Sequence, residues 1–379
     1  MTDNQTAPRP FSGLRVVDFS TLIAGPYGTR YLADLGAEVI KIETPEGDYL
    51  RTQAPLRDGH STYFGQLNCG KKSVALNLKD PDTIAELKKL IATADVLVEN
   101  FRPGVMARFG LDFETLAALN PRLIYCSVSG FGQGGLGAGR PAYAQTIHAT
   151  SGLELVNLRY QDELTRPANS CLFYADVLSA VYAFSAINAA LYHREKTGKG
   201  QFIDVSLLES TMNLMPYDVQ EAQFPAPISR PVYKPVRSSD GFVILMPNTQ
   251  RNFVQMVQAM GHPEWAEDER FCDVMARYNN YPALLAQLET WTMQHTSVEC
   301  EEILTAASVP CARYRTIAEA LEDPLFAERG AFQTVSDPAG EYLVTNLPFK
   351  MSQAETAAVP TVSEVGEYKC ERRSNTRPR

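Results

Sequence analysis

Along the first half of the chain, short apolar runs alternate with amphipathic stretches. Residues 14–19 (LRVVDF) read as a buried strand, AGPYGTRYLADLGA as a helix with Pro26 near its first turn, and EVIKIE as a second strand. A strand–helix–strand opening predicts a right-handed crossover and a parallel pair. The pattern repeats. SVALNLK (73–79) is a strand, DPDTIAELKKLIATA a helix with Asp80 as its cap, and DVLVENF (95–101) a strand. DFETLAALN (112–120) is a short helix, and LIYCSVSGFG (123–132) a strand running into a glycine-rich loop at 130–139. This alternation predicts an α/β fold built on an open parallel sheet with helices on both faces.

The next helical stretch has a different pattern. From Val177 to Leu191 only Ser179, Ser185 and Asn188 are polar, so a helix over 177–195 is expected to be buried on nearly all sides. Asp176 stands at its start, where a carboxylate can accept the free N–H groups of the first turn. His193, Arg194 and Lys196 suit its C-terminal dipole, and Gly198 supplies a stop. A carboxylate in such a place is either a cap or a reactive group. QFIDVSL (201–207) continues the sheet.

Periodicity fades in the proline-rich segment FPAPISRPVYKPVRSSDG, which suits a linker. Beyond it DGFVILMP and PCARYRT (310–316) read as strands, and 249–260, 282–294 and 298–307 as helices. FQTVSDPAGEYLVTNLPF reads as a hairpin turning at 337–340. The expected organisation is a large domain over 1–222, a linker at 223–239, a smaller α/β domain at 240–322, a return to the large domain at 323–367 and a disordered tail at 368–379.

Composition narrows the class. With 379 residues, 45% hydrophobic and 21% charged, the chain has the make-up of a soluble globular protein. No apolar run reaches the roughly 18–20 residues of a membrane span. The polar start MTDNQTAPRP lacks the order of a signal peptide, so the expectation is a cytoplasmic protein without a membrane partner. A net charge of −9 argues against a nucleic-acid partner. The seven cysteines, Cys370 included, form no C-x-x-C pair, which speaks against a disulfide framework or a zinc site. Histidine chemistry finds no metal-ligand spacing, and His148, in an apolar segment, reads as a hydrogen-bonded core residue. No G-x-S-x-G elbow supports a serine hydrolase. The opening unit looks Rossmann-like but has no G-x-G-x-x-G, so no nicotinamide cofactor is expected.

Five cations are more informative. Lys71, Lys72, Lys79, Arg102 and Arg108 fall beside strand ends, where an open α/β sheet presents its ligand site, and together they suggest a polyphosphate. The segments VVDFSTLIAGPYGTRYLADLGAEVIKIETPEGD, LNCGKKSVALNLKD, ADVLVENFRPGVMARFGL, NPRLIYCSVSGFGQGG, PAYAQTIHATSG and LYHREKTGKGQFIDVSLLES follow one another in order. Through them the chain resembles the family III CoA-transferases, the CaiB/BaiF group that includes formyl-CoA:oxalate and crotonobetaine/carnitine CoA-transferases and the α-methylacyl-CoA racemases.

The resemblance implies that Asp176 is the catalytic carboxylate. It further implies that coenzyme A is held by Ile23 and Ala24, by Leu76, Asn77, Leu78 and Lys79, by Asn100, Phe101 and Arg102, by Arg108, and around Arg140 and Tyr143. It implies an interlocked homodimer acting on an acyl-CoA and a carboxylic acid, without a metal. Departures from the family pattern sharpen this. Tyr143 stands where the racemases carry a histidine, which favours transferase over epimerase. Ile23 replaces the glutamine of formyl-CoA transferases, and RPVYKPVRSSDG lacks their glycine run, which counts against formate or oxalate. Arg237 in that region is a candidate for recognising a dicarboxylic acceptor. An α-methylacyl-CoA epimerase and a non-catalytic acyl-CoA-binding protein stay open as alternatives at this point, with a dehydrogenase behind them.

Overall fold

The computed structural model describes residues 8–161, 164–225 and 233–369. Cys370, the rest of the tail and part of the linker (226–232) lie outside the described residues. The chain divides into two compact units, one of residues 1–224 and 327–379 and one of residues 225–326.

The larger unit is built on six parallel strands: β1 (Arg15–Asp18), β2 (Glu38–Glu43), β3 (Lys72–Ala75), β4 (Val96–Glu99), β5 (Ile124–Ser129) and β6 (Gln201–Ser206). Their order across the sheet is β3-β2-β1-β4-β5-β6, so the direction of winding reverses between β1 and β4. Every residue of β1, β4 and β5 is buried. That explains why these strands read as continuous apolar runs without polar alternation. Side chains still part by a period of two. Val16, Val39, Val96 and Val98 enter one core, with Leu32, Ala183, Ile187 and Leu191 from the helices Ala24–Asp34 and Tyr174–Thr197. Val17, Ile40, Ile42 and Leu97 enter the other, with Leu87 and Leu90 from Pro81–Ile91 and Leu116 from Phe113–Leu119. Asp80 caps Pro81–Ile91 as expected, accepting the Asp82 N–H.

The first helix and the long helix pack at close quarters. A Cβ on Gly28 would sit 3.0 Å from the Ala180 carbonyl oxygen, so only glycine allows this approach without a shift. The returning segment is tied back by Arg30, whose guanidinium donates to the carbonyls of Gln66 and Thr345, and by Arg57, which pairs with Asp337 at 2.9 Å. Residues 332–345 form the expected hairpin.

Three expectations change. β3 ends at Ala75, so Leu76–Lys79 form the turn beyond the strand. The long helix runs from Tyr174 to Thr197, and at 24 residues it is long and apolar enough, by length and composition, to cross a membrane. It is also not buried all round. Ala175, Ser179, Ala180, Ala183, Ile187 and Ala190 face the core, while Val177, Val181, Tyr182 and Tyr192 are exposed. A sequence that is apolar on every face cannot reveal which face the chain itself covers.

The smaller unit holds an antiparallel sheet in the order Cys311–Arg313, Phe242–Leu245, Val236–Arg237. Its own core includes Phe253, Trp265, Phe271, Leu288 and Trp291.

Candidate active site

In an open α/β sheet, ligands bind beyond the carboxyl ends of the strands where the winding reverses. A cavity of about 510 Å³ lies there in the larger unit. Its walls are Phe19, Thr21 and Leu22 after β1, Ile42 and Glu43 at the end of β2 with Thr44, Asp48 and Tyr49 beyond it, Leu76 and Leu78 after β3, Phe101 after β4, and Tyr143. This volume falls within the roughly 300–1,000 Å³ of ligand pockets.

The loop leaving β1 is held from two sides. The Asn100 side chain accepts the Thr21 N–H at 2.9 Å and donates to the Thr21 carbonyl at 2.8 Å. Asn100 therefore spends its amide on positioning the loop. Leu22 adopts φ 63°, a left-handed conformation that a branched side chain tolerates only when its surroundings hold it. The helix that follows begins at Ala24 with no side-chain cap and no acidic residue in its first turn. Ile23 and Ala24 are buried and do not line this cavity, whose wall on this side is Thr21 and Leu22.

Beneath this loop is a buried ionic network. Asp18 accepts hydrogen bonds from the Ser20 N–H at 2.9 Å, the Ser20 hydroxyl and the Thr29 hydroxyl at 2.6 Å, and pairs with Lys71 at 3.0 Å. Lys41 donates to the Ser20 carbonyl and pairs with Asp48. Burial alone would push the Asp18 carboxyl up, but Lys71, Lys41 and the two hydroxyls hold it below the usual carboxylate range.

This corrects the expectation for two cations. Lys71 is buried against Asp18, the Pro26 carbonyl and Asn68, so it is not offered to a ligand. Lys72 starts β3 and pairs with Glu38 at 2.9 Å, toward the opposite end of the strands. Arg102 and Arg108 are exposed and, among the described residues, have no ion-pair partner. Arg102 lines a second cavity, shared with Glu99, Gln133 and Phe202. Asn77 and Lys79 are exposed on the turn after β3, and Arg140 stacks over Phe131 with 4.6 Å to the ring centre. Arg237 lies at an exposed strand position of the smaller unit.

Asp176 occupies the third position of the long helix, not its cap. Phe173 holds the cap position and provides no side-chain hydrogen bond. Burial pushes the Asp176 carboxyl up to about 6, offset only by its own backbone N–H. Ile23, Leu50, Phe64 and Leu67 form an apolar cluster with Leu22, Tyr27, Tyr63 and Phe173, the last of which stands three residues before Asp176 in the chain. The Tyr63 hydroxyl is pushed up to about 12 by burial, then by the charge of Asp176, which places the two side chains within electrostatic reach. Asp176 does not line the 510 Å³ cavity, but Leu22 belongs both to that cavity's wall and to the apolar cluster that holds Tyr63 and Phe173.

A raised carboxyl does not by itself select a reactive group. Asp34 is also pushed up to about 6 by burial, yet it is fully enclosed and paired with Arg30 at 3.1 Å. Asp176 is half-buried and, among the described residues, forms no ion pair with a cation.

Sequence reasoning missed Glu99. It is buried, pushed up to about 7 by burial, and hydrogen-bonded to the Ser127 hydroxyl and the Phe101 N–H. Glu99 fixes the backbone next to Asn100. An acidic residue closing the otherwise apolar run VLVE was the one available signal.

A family model described as CoA-transferase family III matches residues 11–365. The acetyl-CoA:oxalate CoA-transferase of Acetobacter aceti is 38% identical over 330 residues, covering 84% of each chain. The succinate–glutarate CoA-transferase of Agrobacterium fabrum is 32% identical over 98% of this chain and 96% of its own. Among solved structures, a CaiB/BaiF family protein from Brucella suis superposes with a TM-score of 0.84 at 32% identity, covering 95% of this chain and 97% of that one.

Proposed function

The chain belongs to CoA-transferase family III, and from that premise we propose that it moves CoA between an acyl-CoA thioester and a free short dicarboxylic acid, with Asp176 as the covalent acceptor. The observation that carries this reading is the setting of Asp176: a half-buried carboxylate on the first turn of a rigid helix, desolvated by apolar side chains and lacking a cation. Such a carboxylate is a stronger nucleophile than one in water.

CoA enters as a substrate. The walls formed by Leu76, Leu78, Phe101 and Tyr143 suit its apolar and ring portions, and the backbone around Ile23 and Ala24 suits an anionic group. Arg102 and Arg108 are exposed cations for its phosphates, with Asn77, Lys79 and Arg140 on neighbouring exposed segments.

In the proposed reaction an Asp176 carboxylate oxygen attacks the thioester carbonyl. The C–S bond breaks, giving an aspartyl–acyl anhydride and the CoA thiolate. The thiolate attacks the aspartyl carbonyl, releases the acyl group as its free acid and leaves Asp176 as a CoA thioester. The acceptor acid runs these steps in reverse and departs as the new acyl-CoA. Both intermediates are activated acyl groups, so no nucleotide is consumed, and the negatively charged oxyanion formed at each attack is stabilised by backbone N–H groups of the glycine-rich loops. The apolar cluster keeps water from hydrolysing them.

The relatives act on oxalate and on succinate and glutarate, which supports a short dicarboxylate as acceptor. The acetyl-CoA:oxalate relative keeps oxalate in the panel to be tested, although Ile23 and the missing glycine run argue against it. Arg237 is the candidate for the distal carboxylate. The exposed apolar face of the long helix (Val177, Val181, Tyr182, Tyr192) supports a homodimer that covers it.

The test is isolation of the adduct. Mixing enzyme with acyl-CoA and trapping with hydroxylamine is expected to convert Asp176 to its hydroxamate, located by peptide mass spectrometry. Exchange activity without modification of Asp176 would remove it from the mechanism. Deuterium incorporation at C2 of a 2-methylacyl-CoA, with no acceptor acid present, would instead support the epimerase.

A further inference from the structure

The helix that carries Asp176 begins without a cap of its own, so each of its leading amides needs another partner. The Tyr174 N–H donates to the Leu172 carbonyl at 3.0 Å, and the Asp176 N–H is met by its own carboxylate. The amide between them, that of Ala175, donates to Nε2 of His148 at 3.2 Å. His148 is supplied by a different helix, Ala144–Ser151, and is fully buried.

We propose that His148 is a positioning residue, held by Glu154, whose neutral imidazole caps the first turn of the long helix and so sets where the Asp176 carboxylate stands. The chemistry of the contact fixes the form of the ring. A backbone N–H can only donate, so Nε2 carries the lone pair and the proton sits on Nδ1. Nδ1 lies 3.5 Å from Oε1 of Glu154, an electrostatic contact without hydrogen-bond geometry, and Glu154 is itself buried on the first turn of Leu153–Arg159. The same Glu154 oxygen accepts the Ser170 N–H at 3.4 Å, just ahead of the long helix. Glu154 therefore serves the approach to the helix and the tautomer of its cap together. Burial keeps His148 in the neutral form this arrangement needs. The ring also lies beside Tyr174, with centres 5.8 Å apart, so the entry to the helix is held by packing as well as by the hydrogen bond.

This inference rests on the reading of Asp176 as nucleophile. A reacting group displaced by about 1 Å loses on the order of 100-fold in rate, while binding groups elsewhere are untouched. His148→Leu is expected to lower kcat about 10- to 100-fold and leave the KM for acyl-CoA within about twofold. His148→Gln, whose amide oxygen can take the Ala175 N–H, is expected to restore most of that rate. Glu154→Leu, which frees the tautomer without removing the ring, should lower kcat several-fold. Wild-type kcat in His148→Leu, or a His148→Gln enzyme as slow as His148→Leu with CoA binding weakened in proportion, would overturn the proposal. If His148→Leu fails to fold, the Glu154→Leu rate decides, and unchanged kcat there overturns it.

Amide hydrogen exchange over residues 172–178 separates this claim from the one it rests on. Faster exchange in His148→Leu than in wild type or His148→Gln is expected whether or not Asp176 is the nucleophile, and equal exchange would overturn the cap. Residual turnover in Asp176→Ala would count against the nucleophile alone.

Discussion

Asp18 and Asp176 are both carboxylates largely taken out of water in the larger unit, and they are treated in opposite ways. Asp18 at the end of β1 receives two hydroxyls, a backbone N–H and the Lys71 ammonium, and is held ionised. Asp176 receives its own backbone N–H and is pushed up to about 6 by burial. Stabilising a carboxylate lowers its reactivity, because every partner must be weakened before the oxygen can attack. The satisfied carboxylate therefore builds the loop, and the unsatisfied one is the group proposed to react.

The largest effect that could break this comparison is on rate. Asp176→Ala is expected to lower CoA exchange by about 10⁴-fold or more, the scale seen when a covalent catalyst is removed. CoA binding, measured by calorimetry, should persist, since the cavity walls lie on other segments. Loss of binding together with rate would make Asp176 a structural residue like Asp18.

Next comes stability. Asp18→Ala leaves Lys71 buried without its counter-charge, and removing one partner of a buried pair typically costs roughly 3–5 kcal/mol. Thermal unfolding should show a large drop in Tm that the double change Asp18→Ala with Lys71→Met partly restores. A small change would mean that water reaches Lys71 and the network is less closed than its geometry implies.

These two residues also show what was legible in the sequence. The sheet was readable because parallel strands buried on both faces appear as unbroken apolar runs, and LRVVDF, EVIKIE and DVLVENF fell close to β1, β2 and β4. Asp176 stood out because it precedes the most apolar helix. Its exact helical position did not, since Phe173 and Tyr174 give no capping signal. Asp18 and Lys71 were opaque for another reason: their pairing spans 53 residues and depends on two helices meeting the sheet. Lys71 looked like a ligand cation because sequence places it beside a strand end without saying which way it points. Glu99 was hidden likewise, its partner Ser127 being near in space only, whereas His148 was legible as a hydrogen-bonded core histidine but its partner Ala175 was not.

A third measurement sharpens the contrast through pH. In the proposed mechanism Asp176 must be ionised to attack, and its carboxyl is pushed up to about 6 by burial. With acyl-CoA below saturation, kcat/KM is expected to fall about tenfold per unit as pH drops below that value. Asp18, held low, should leave no inflection of its own. An acid limb near 4 would mean that Asp176 is solvated in the free enzyme.

The smallest effect concerns the cost of leaving Asp176 unsatisfied. Its folded-state value of about 6 lies above the ordinary 3.8, so the neutral form is favoured by folding. That contribution is present below pH 4 and lost as pH rises through 6, where the folded protein must hold a poorly solvated charge. Asp176→Asn removes that charge and should raise stability at pH 8 while leaving it unchanged near pH 4. A two-unit shift corresponds to about 3 kcal/mol, and the partial exposure of the group reduces this to on the order of 1 kcal/mol. Asp18→Asn should do the reverse, destabilising at pH 8 because it discards a stabilised charge. Opposite signs for two Asp→Asn changes in one unit, read from Tm at two pH values, are the sharpest statement of the difference between them. Equal signs would mean that the enzyme stores no free energy in the proposed nucleophile.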